Sequence, residues 1–154
     1  MTSRYERLVR RVVLLLALLV SDGLGGTGWL VGRTAAAQDQ PVTTSDAWVR
    51  VPAAGAAGAV VVMTIDNPGM YEFFVASGTS DAADTVEFRD AGRDNAVLEY
   101  ITCPPGEPTY LDPKGVHVYL SGLKRPLNAG DRVRLRLKTS NGVEFDVDAE
   151  AKSE

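Results

Sequence analysis

The sequence is poor in the side chains from which metal centres and catalytic triads are usually built. Its 154 residues contain one histidine and one cysteine. A single cysteine, Cys103, excludes an internal disulfide, so an apolar core alone must stabilise the fold. The single histidine, His117, has the only side chain whose ordinary pKa lies near neutrality, so metal or acid–base chemistry would centre on it. Because no Ser-His-Asp spacing and no glycine-rich phosphate loop is present, we expect no enzyme activity.

After residue 41 the sequence also lacks a segment of useful length with the apolar period of a helix. Short apolar runs alternate there with Gly, Pro, Asn and Asp, a pattern typical of an all-β sandwich or barrel. Trp48 is predicted to be a large apolar anchor of the first strand, and a polar loop is predicted between residues 77 and 85. The predicted strands span residues 42–51, 59–66, 71–77, 85–89, 96–102, 109–111, 116–120, 132–138 and 143–149.

The front of the chain has a different composition, with four arginines before an unbroken apolar run at residues 12–20. Nine apolar residues are too few to span a bilayer as a helix, and they fit the hydrophobic region of a signal peptide. The small residues at 35–37 suit a signal peptidase, so we predict a signal peptide at residues 1–37 and a mature domain at residues 38–154. An uncleaved N-terminal anchor is the alternative. No cysteine lies near the cut, so lipid attachment there is not expected.

The charge balance argues against nucleic acid as a partner. Without residues 1–37, the 11 basic and 18 acidic residues that remain give a net charge of −7, against −4 for the whole chain. Phosphate binding needs a basic surface, which this composition does not provide. The predicted signal peptide indicates export to the periplasm, to the cell envelope or out of the cell. We expect a monomer that contacts a membrane only through an uncleaved N-terminal segment.

Three motifs give the predicted mature domain a resemblance to a known family. They are Ser-Asp-Ala-Trp-Val-Arg at residues 45–50, Thr-Ile-Asp-Asn at residues 64–67, and Gly-Leu-Lys-Arg-Pro-Leu at residues 122–127, followed by Gly130-Asp131. In this order and spacing they resemble the PCuAC-type periplasmic copper chaperones, over roughly residues 42–150. The resemblance implies a cupredoxin-like, Greek-key β-sandwich. It also implies Cu(I) handling for the assembly of envelope cuproproteins such as cytochrome oxidase.

The copper-site positions of that family are largely replaced in this chain. The family site consists of a histidine, a methionine ten intervening residues later, and a His-x-Met pair on the strand before the Gly-Leu-Lys-Arg-Pro motif. Those positions fall on Arg89, Tyr100, His117 and Tyr119. Arginine carries a permanent charge and cannot ligate a metal, and the tyrosine oxygen is a hard donor that suits soft Cu(I) poorly. Only His117 remains as a candidate ligand.

Two functions are compatible with this pattern. One is a copper-chaperone-like protein with a degenerate site, which binds Cu(I) through His117 together with Cys103 or water, or shares ligands with a cuproprotein or its assembly factor. The other is a metal-free module that docks a protein partner through Arg89, Tyr100, His117 and Tyr119. In this second case we expect Tyr100 and Tyr119 to stack beside Arg89 in a cation–π cluster. The role of Cys103 stays open.

Overall fold

A computed structural model of the chain describes residues 42–153. Within that range the backbone forms ten β-strands and one short 3₁₀ helix, Ala91–Arg93, between the fourth and fifth strands. The strands are β1 (Thr43–Arg50), β2 (Gly58–Asp66), β3 (Phe73–Ser80), β4 (Ala83–Asp90), β5 (Ala96–Leu98), β6 (Ile101–Cys103), β7 (Pro108–Leu111), β8 (Val116–Leu123), β9 (Arg132–Thr139) and β10 (Glu144–Lys152). No helix in this range is long and apolar enough to cross a membrane.

The strands are joined by hydrogen bonds into one continuous sheet that folds over on itself. Their order is β5-β4-β8-β2-β1-β10-β9-β3-β6, and β7 pairs with β2 beside this path. The pairs are antiparallel except that β1 and β10 run parallel. The predicted all-β, barrel-like sandwich is therefore confirmed. The predicted signal peptide lies outside the described residues, so the boundary at residue 37 stays a prediction.

The core forms from side chains that alternate along the strands. On β9 the three apolar residues Val133, Leu135 and Leu137 are fully buried, and the basic residues between them point to solvent. On β10 the buried positions Val147, Ala149 and Ala151 face the same core. This alternation is the pattern of a sheet with one face in the core and one in water, as the sequence predicted for these strands.

Trp48, the predicted apolar anchor of the first strand, is not among the buried core residues. The β1–β2 register shifts between Ser45 and Trp48, and Asp46 within this bulge has a φ of 52°. After the bulge Val49 is fully buried, while its neighbour Trp48 lies opposite Val62 on the outer face and is half-buried. The extra residue of a bulge changes which face the following side chains occupy.

The predicted polar loop between residues 77 and 85 is much shorter in the structure. β3 continues to Ser80 and β4 begins at Ala83, so two residues connect them. The corner is held by polar groups: Ser80 Oγ donates to the Arg134 carbonyl, and the Arg134 amide donates to Asp81 Oδ1. Ala82 and Ala83 are buried at this corner. The polar residues near it belong to strands and turn outward, which their composition alone did not indicate.

Two further boundaries differ from the sequence prediction. The predicted strand at residues 96–102 is two short strands, β5 and β6, which pair with β4 and β3 respectively and so lie at opposite ends of the strand order. β8 runs through Gly122 to Leu123 instead of ending at residue 120. Gly122 allows this because it adopts a φ of +66° directly against the Asp84 side chain. A side chain at that position would be strained.

Candidate functional site

Three of the four positions singled out by the resemblance lie together on the face of the β4–β8 pair that points away from the core. β4 and β8 are antiparallel neighbours, and their register places Arg89 opposite His117 and Glu87 opposite Tyr119. Side chains two residues apart on a strand share a face, so these four residues form a two-by-two patch. We call this patch, Glu87, Arg89, His117 and Tyr119, the Arg89 face.

Arg89 is held in place by two neighbours. Its guanidinium carbon lies 3.9 Å from the centroid of the Tyr119 ring, a cation–π contact. Its Nε and Nη2 atoms donate to Glu87 Oε2 at 2.9 and 2.7 Å. About a quarter of each of these two charged side chains is exposed. The positive charge is thereby paired with Glu87 and held over an aromatic ring.

Gly58 makes room for the Tyr119 ring. A Cβ atom at position 58 would lie 2.5 Å from both Cζ and Oη of Tyr119 and 2.3 Å from the Leu120 carbonyl oxygen. These separations are far below van der Waals contact, so β2 can approach β8 here only without a side chain. The position of the Tyr119 ring, and with it the cation–π contact, therefore depends on this glycine.

His117 is 2% exposed and bonded to its own turn. Its Nδ1 atom lies 3.0 Å from the Gly115 carbonyl oxygen, which also accepts the Ala91 amide. A carbonyl can only accept, so Nδ1 donates this hydrogen bond and Nε2 is the ring nitrogen that remains. That nitrogen is the atom through which His117 would bind a metal ion.

Tyr100 does not share the contact between Arg89 and Tyr119. It lies between β5 and β6, is 48% exposed, and its ring packs edge-on against Phe74 of β3 with 5.1 Å between centroids. The predicted cation–π cluster is thus found between Arg89 and Tyr119, whereas the described contact of Tyr100 is a different one. β5 pairs with β4, and the chain then crosses to β6, which pairs with β3. Tyr100 lies in this crossing, which explains its separate packing.

Cys103 provides no accessible thiolate. It is fully buried at the end of β6, opposite Phe73 of β3. Burial raises the pKa of its thiol, an effect that the Thr109 hydroxyl only partly offsets. A raised pKa keeps the sulfur protonated at neutral pH, and a protonated thiol is neither a nucleophile nor a metal ligand.

The described residues do not assemble a soft metal site. Among residues 42–153 no three side chains of the His, Cys, Asp and Glu types lie close enough to hold an ion together. Of the two methionines there, Met63 is in the core and Met70 is on the loop after β2. Cu(I) prefers thioether sulfur with imidazole, and the Arg89 face offers one imidazole beside a bound guanidinium. The residues of this face therefore do not fit a Cu(I) centre of the kind that the resemblance implies.

Sequence reasoning missed Glu87 and Gly58 as parts of this face. Glu87 is two residues before Arg89 on a strand, a spacing that places opposite charges side by side and could have indicated the ion pair. Gly58 gave no such signal, because its role depends on the β2–β8 register. A surface cavity of about 490 Å³ lies elsewhere, between residues 51–56 and 123–128, and includes none of these side chains.

Comparison with known proteins gives a family and a set of structural relatives. The sequence model of the LpqE-like family, whose description is that of lipoproteins, matches residues 42–151. A protein of Leifsonia xyli subsp. xyli (strain CTCB07) described as lipoprotein Lxx21020 is 32% identical over 130 residues, which is 77% of this chain and 77% of the relative.

The structural relatives are PCuAC domains and their kin. The solution structure of the Cu(I) form of DR1885 from Deinococcus radiodurans is 26% identical, covers 79% of this chain and 85% of its own, and has a TM-score of 0.64. The copper-bound PCuAC domain from PmoF2 is 22% identical, covers 73% and 93%, and has a TM-score of 0.66. The likeness to the PmoF2 domain, at 22% identity, shows that this chain shares its fold.

Proposed function

The chain belongs to the LpqE-like lipoprotein family, and on that premise we propose that it is an exported, non-enzymatic, PCuAC-like domain that docks a protein partner through the Arg89 face without itself carrying Cu(I). The observation that carries this proposal is the guanidinium of Arg89, 3.9 Å over the Tyr119 ring and bonded to Glu87. Arg89 and Tyr119 occupy positions where the resembling family places copper ligands. Lipid attachment through Cys103 is not part of the proposal, because that sulfur is buried.

The Arg89 face has features of a preorganised docking site. Arginine and tyrosine are among the residues that contribute most binding energy at protein interfaces. Here both are already fixed by Glu87 and by the gap over Gly58, so little side-chain entropy is lost when a partner binds. A cuproprotein or its assembly factor, such as one serving cytochrome oxidase, remains the partner that the resemblance implies.

A second candidate function is Cu(I) carriage with ligands shared between His117 and a partner. It is supported by the place of His117 on β8 and by the likeness to the Cu(I) form of DR1885. In this version Nε2 of His117 supplies one ligand and the partner supplies the soft donors. The isolated protein would then bind Cu(I) weakly and through this single residue.

A competition titration separates the two candidates. The exported protein is titrated with Cu(I) against a chromophoric chelator, beside the variant His117→Ala. We expect no withdrawal of copper from the chelator by either protein. Stoichiometric withdrawal by the wild type that is lost in His117→Ala would contradict the metal-free proposal. Weak binding that depends on His117 would favour shared ligands.

A further inference from the structure

A second surface, distinct from the Arg89 face, carries exposed apolar side chains on a loop that is held rigid. Met70 and Tyr71, between β2 and β3, are 82% and 83% exposed. Tyr110 on β7 is 70% exposed, and β7 pairs with the same end of β2 from which this loop leaves. We call Met70, Tyr71 and Tyr110 the loop patch. Exposed apolar side chains are ordinary when they occur singly and informative when they form a patch.

Asn67 fixes the backbone of this loop. Its side chain is buried, and its Nδ2 donates to the carbonyl oxygens of Tyr71 and Cys103, both at 2.9 Å. Its Oδ1 accepts the Gly69 amide at 3.0 Å, and its own carbonyl accepts the Gly106 amide at 2.8 Å. Asn67 thus joins the β2–β3 loop to the end of β6 through its side chain and to the β6–β7 loop through its backbone carbonyl. Met70 and Tyr71 are presented from a fixed backbone.

The charges around the loop patch are mostly negative. Four carboxylates, Asp66, Glu72, Glu107 and Asp112, lie in or next to the same loops, and no ion pair within residues 42–153 involves any of them. The one basic residue of these loops is Lys114, in the β7–β8 turn. By contrast, six of the other basic residues are paired with carboxylates. A free acidic rim around apolar side chains attracts a basic surface and repels an acidic one.

We propose that the loop patch is a second docking site, and that its occupant is a protein with an apolar pocket bordered by lysine or arginine side chains. Preorganisation of the loop by Asn67 lowers the entropy cost of binding. Tyr71 and Met70 enter the pocket, and the carboxylates of Glu72 and Glu107 pair with the basic border. A second copy of this chain does not fit, because its own loop patch would bring acidic rims together. An anionic lipid surface is disfavoured for the same reason.

The test uses the full chain in its native cells with a photoreactive benzoylphenylalanine in place of Tyr71. The control carries the same group in place of Val143, which is also an exposed apolar residue but lies on the β9–β10 turn. We expect one protein adduct at position 71 and none at position 143. The partner peptide that is cross-linked should lie on a basic surface. The double variant Glu72→Lys, Glu107→Lys should reduce the adduct about tenfold, since like charges facing each other at an interface are costly.

Several outcomes would overturn this assignment. They are no adduct at position 71, equal adducts at both positions, an adduct with twice the mass of the chain, an adduct with lipid, or an adduct that survives charge reversal. Because the substituted side chains are exposed, loss of folding does not explain a negative result. A thermal melt of each variant, expected within a few degrees of the wild type, checks this point.

Discussion

At the scale of single residues, Arg89 shows how one side chain can change the chemistry of a face without changing its strand pairing. The β4–β8 register still places residue 89 opposite His117, as a shared metal site would need. The guanidinium nevertheless takes an ion pair and an aromatic ring as its neighbours. The resemblance predicted that residues 89, 117 and 119 lie together, and the β4–β8 register brings these three residues together. The separate packing of Tyr100 could not, because it depends on the path between β5 and β6.

Gly58→Ala should destabilise the domain by about 1–3 kcal/mol, because a Cβ atom there overlaps the Tyr119 ring and the Leu120 carbonyl. Urea unfolding of the two proteins measures the difference. Gly115→Ala is the matched control, since a Cβ atom at that glycine meets no atom within 4 Å. Equal stabilities of the two variants would show that β2 and β8 do not approach as closely as described.

Asn67→Ala should cost about 2–4 kcal/mol, because the carbonyl oxygens of Tyr71 and Cys103 each lose a hydrogen bond in a largely buried setting. Chemical denaturation measures the loss, and hydrogen exchange should show faster exchange at the Gly69 and Gly106 amides. Asn128→Ala is the control, since that asparagine is exposed and uses its backbone amide. A loss no larger than that of the control would remove the basis for a rigid loop.

At the scale of secondary structure, the β9–β10 hairpin is the element that sequence predicted best. Val133, Leu135 and Leu137 alternate with basic residues, and this period of two is sufficient to assign both the strand and its inner face. The β3–β4 corner was predicted poorly for the opposite reason. Its Ser, Thr and Asp residues resemble a loop in composition. Ser80 Oγ donates to the Arg134 carbonyl of β9 and Asp81 Oδ1 accepts the Arg134 amide, and these bonds keep the segment in strands. Contacts distant in sequence decided that boundary.

The outer face of this hairpin carries a ladder of opposite charges that gives a pH-dependent prediction. Arg136 Nε donates to Asp146 Oδ1 at 2.7 Å, with Arg134–Asp148 and Lys138–Glu144 on either side. Arg136 lowers the pKa of Asp146, and Asp146 raises that of Arg136. A carboxyl with a lowered pKa in the folded state stabilises the fold above its unfolded pKa, and that contribution is lost as the pH falls through the folded value.

Asp146→Asn should therefore lower the urea midpoint slightly at neutral pH, and the difference should fade as the pH drops below about 4, the ordinary pKa of aspartate. The effect should also shrink in high salt, because at least half of each side chain of the pair is exposed. Glu107→Gln, at a carboxylate without an ion pair among the described residues, is the control and should show neither dependence. A difference that persists unchanged in acid would contradict the assigned pairing.

At the scale of the whole molecule, the two proposed docking surfaces belong to one domain, for which we propose export. The prediction of export depends on the signal peptide at residues 1–37. The mass of the protein recovered outside the cytoplasm tests it, and we expect a chain that starts near Gln38. An intact N-terminus would point to the alternative of an uncleaved anchor, and a different start would refute the predicted cleavage site.

The fold of the whole molecule was predictable from its motifs and turn residues, whereas the contacts made at the substituted family positions were predictable only in part. Three substituted positions indicated a degenerate site. The ion pair with Glu87 and the raised pKa of the Cys103 thiol became evident only from the packing. Both depend on register and burial, which a single sequence does not specify at the level of individual contacts.

The most direct test of the central claim is a Cu(I) competition titration of the wild type beside the variant Arg89→His, Tyr100→Met, Tyr119→Met, which restores the ligand types that the resembling family uses. We predict that the wild type leaves copper on the chelator and that the restored variant withdraws it, because thioether sulfur and imidazole replace a bound guanidinium and two phenols. Tight, stoichiometric withdrawal by the wild type, with no gain in the variant, would contradict the proposal that the Arg89–Tyr119 pair stands in place of a metal site.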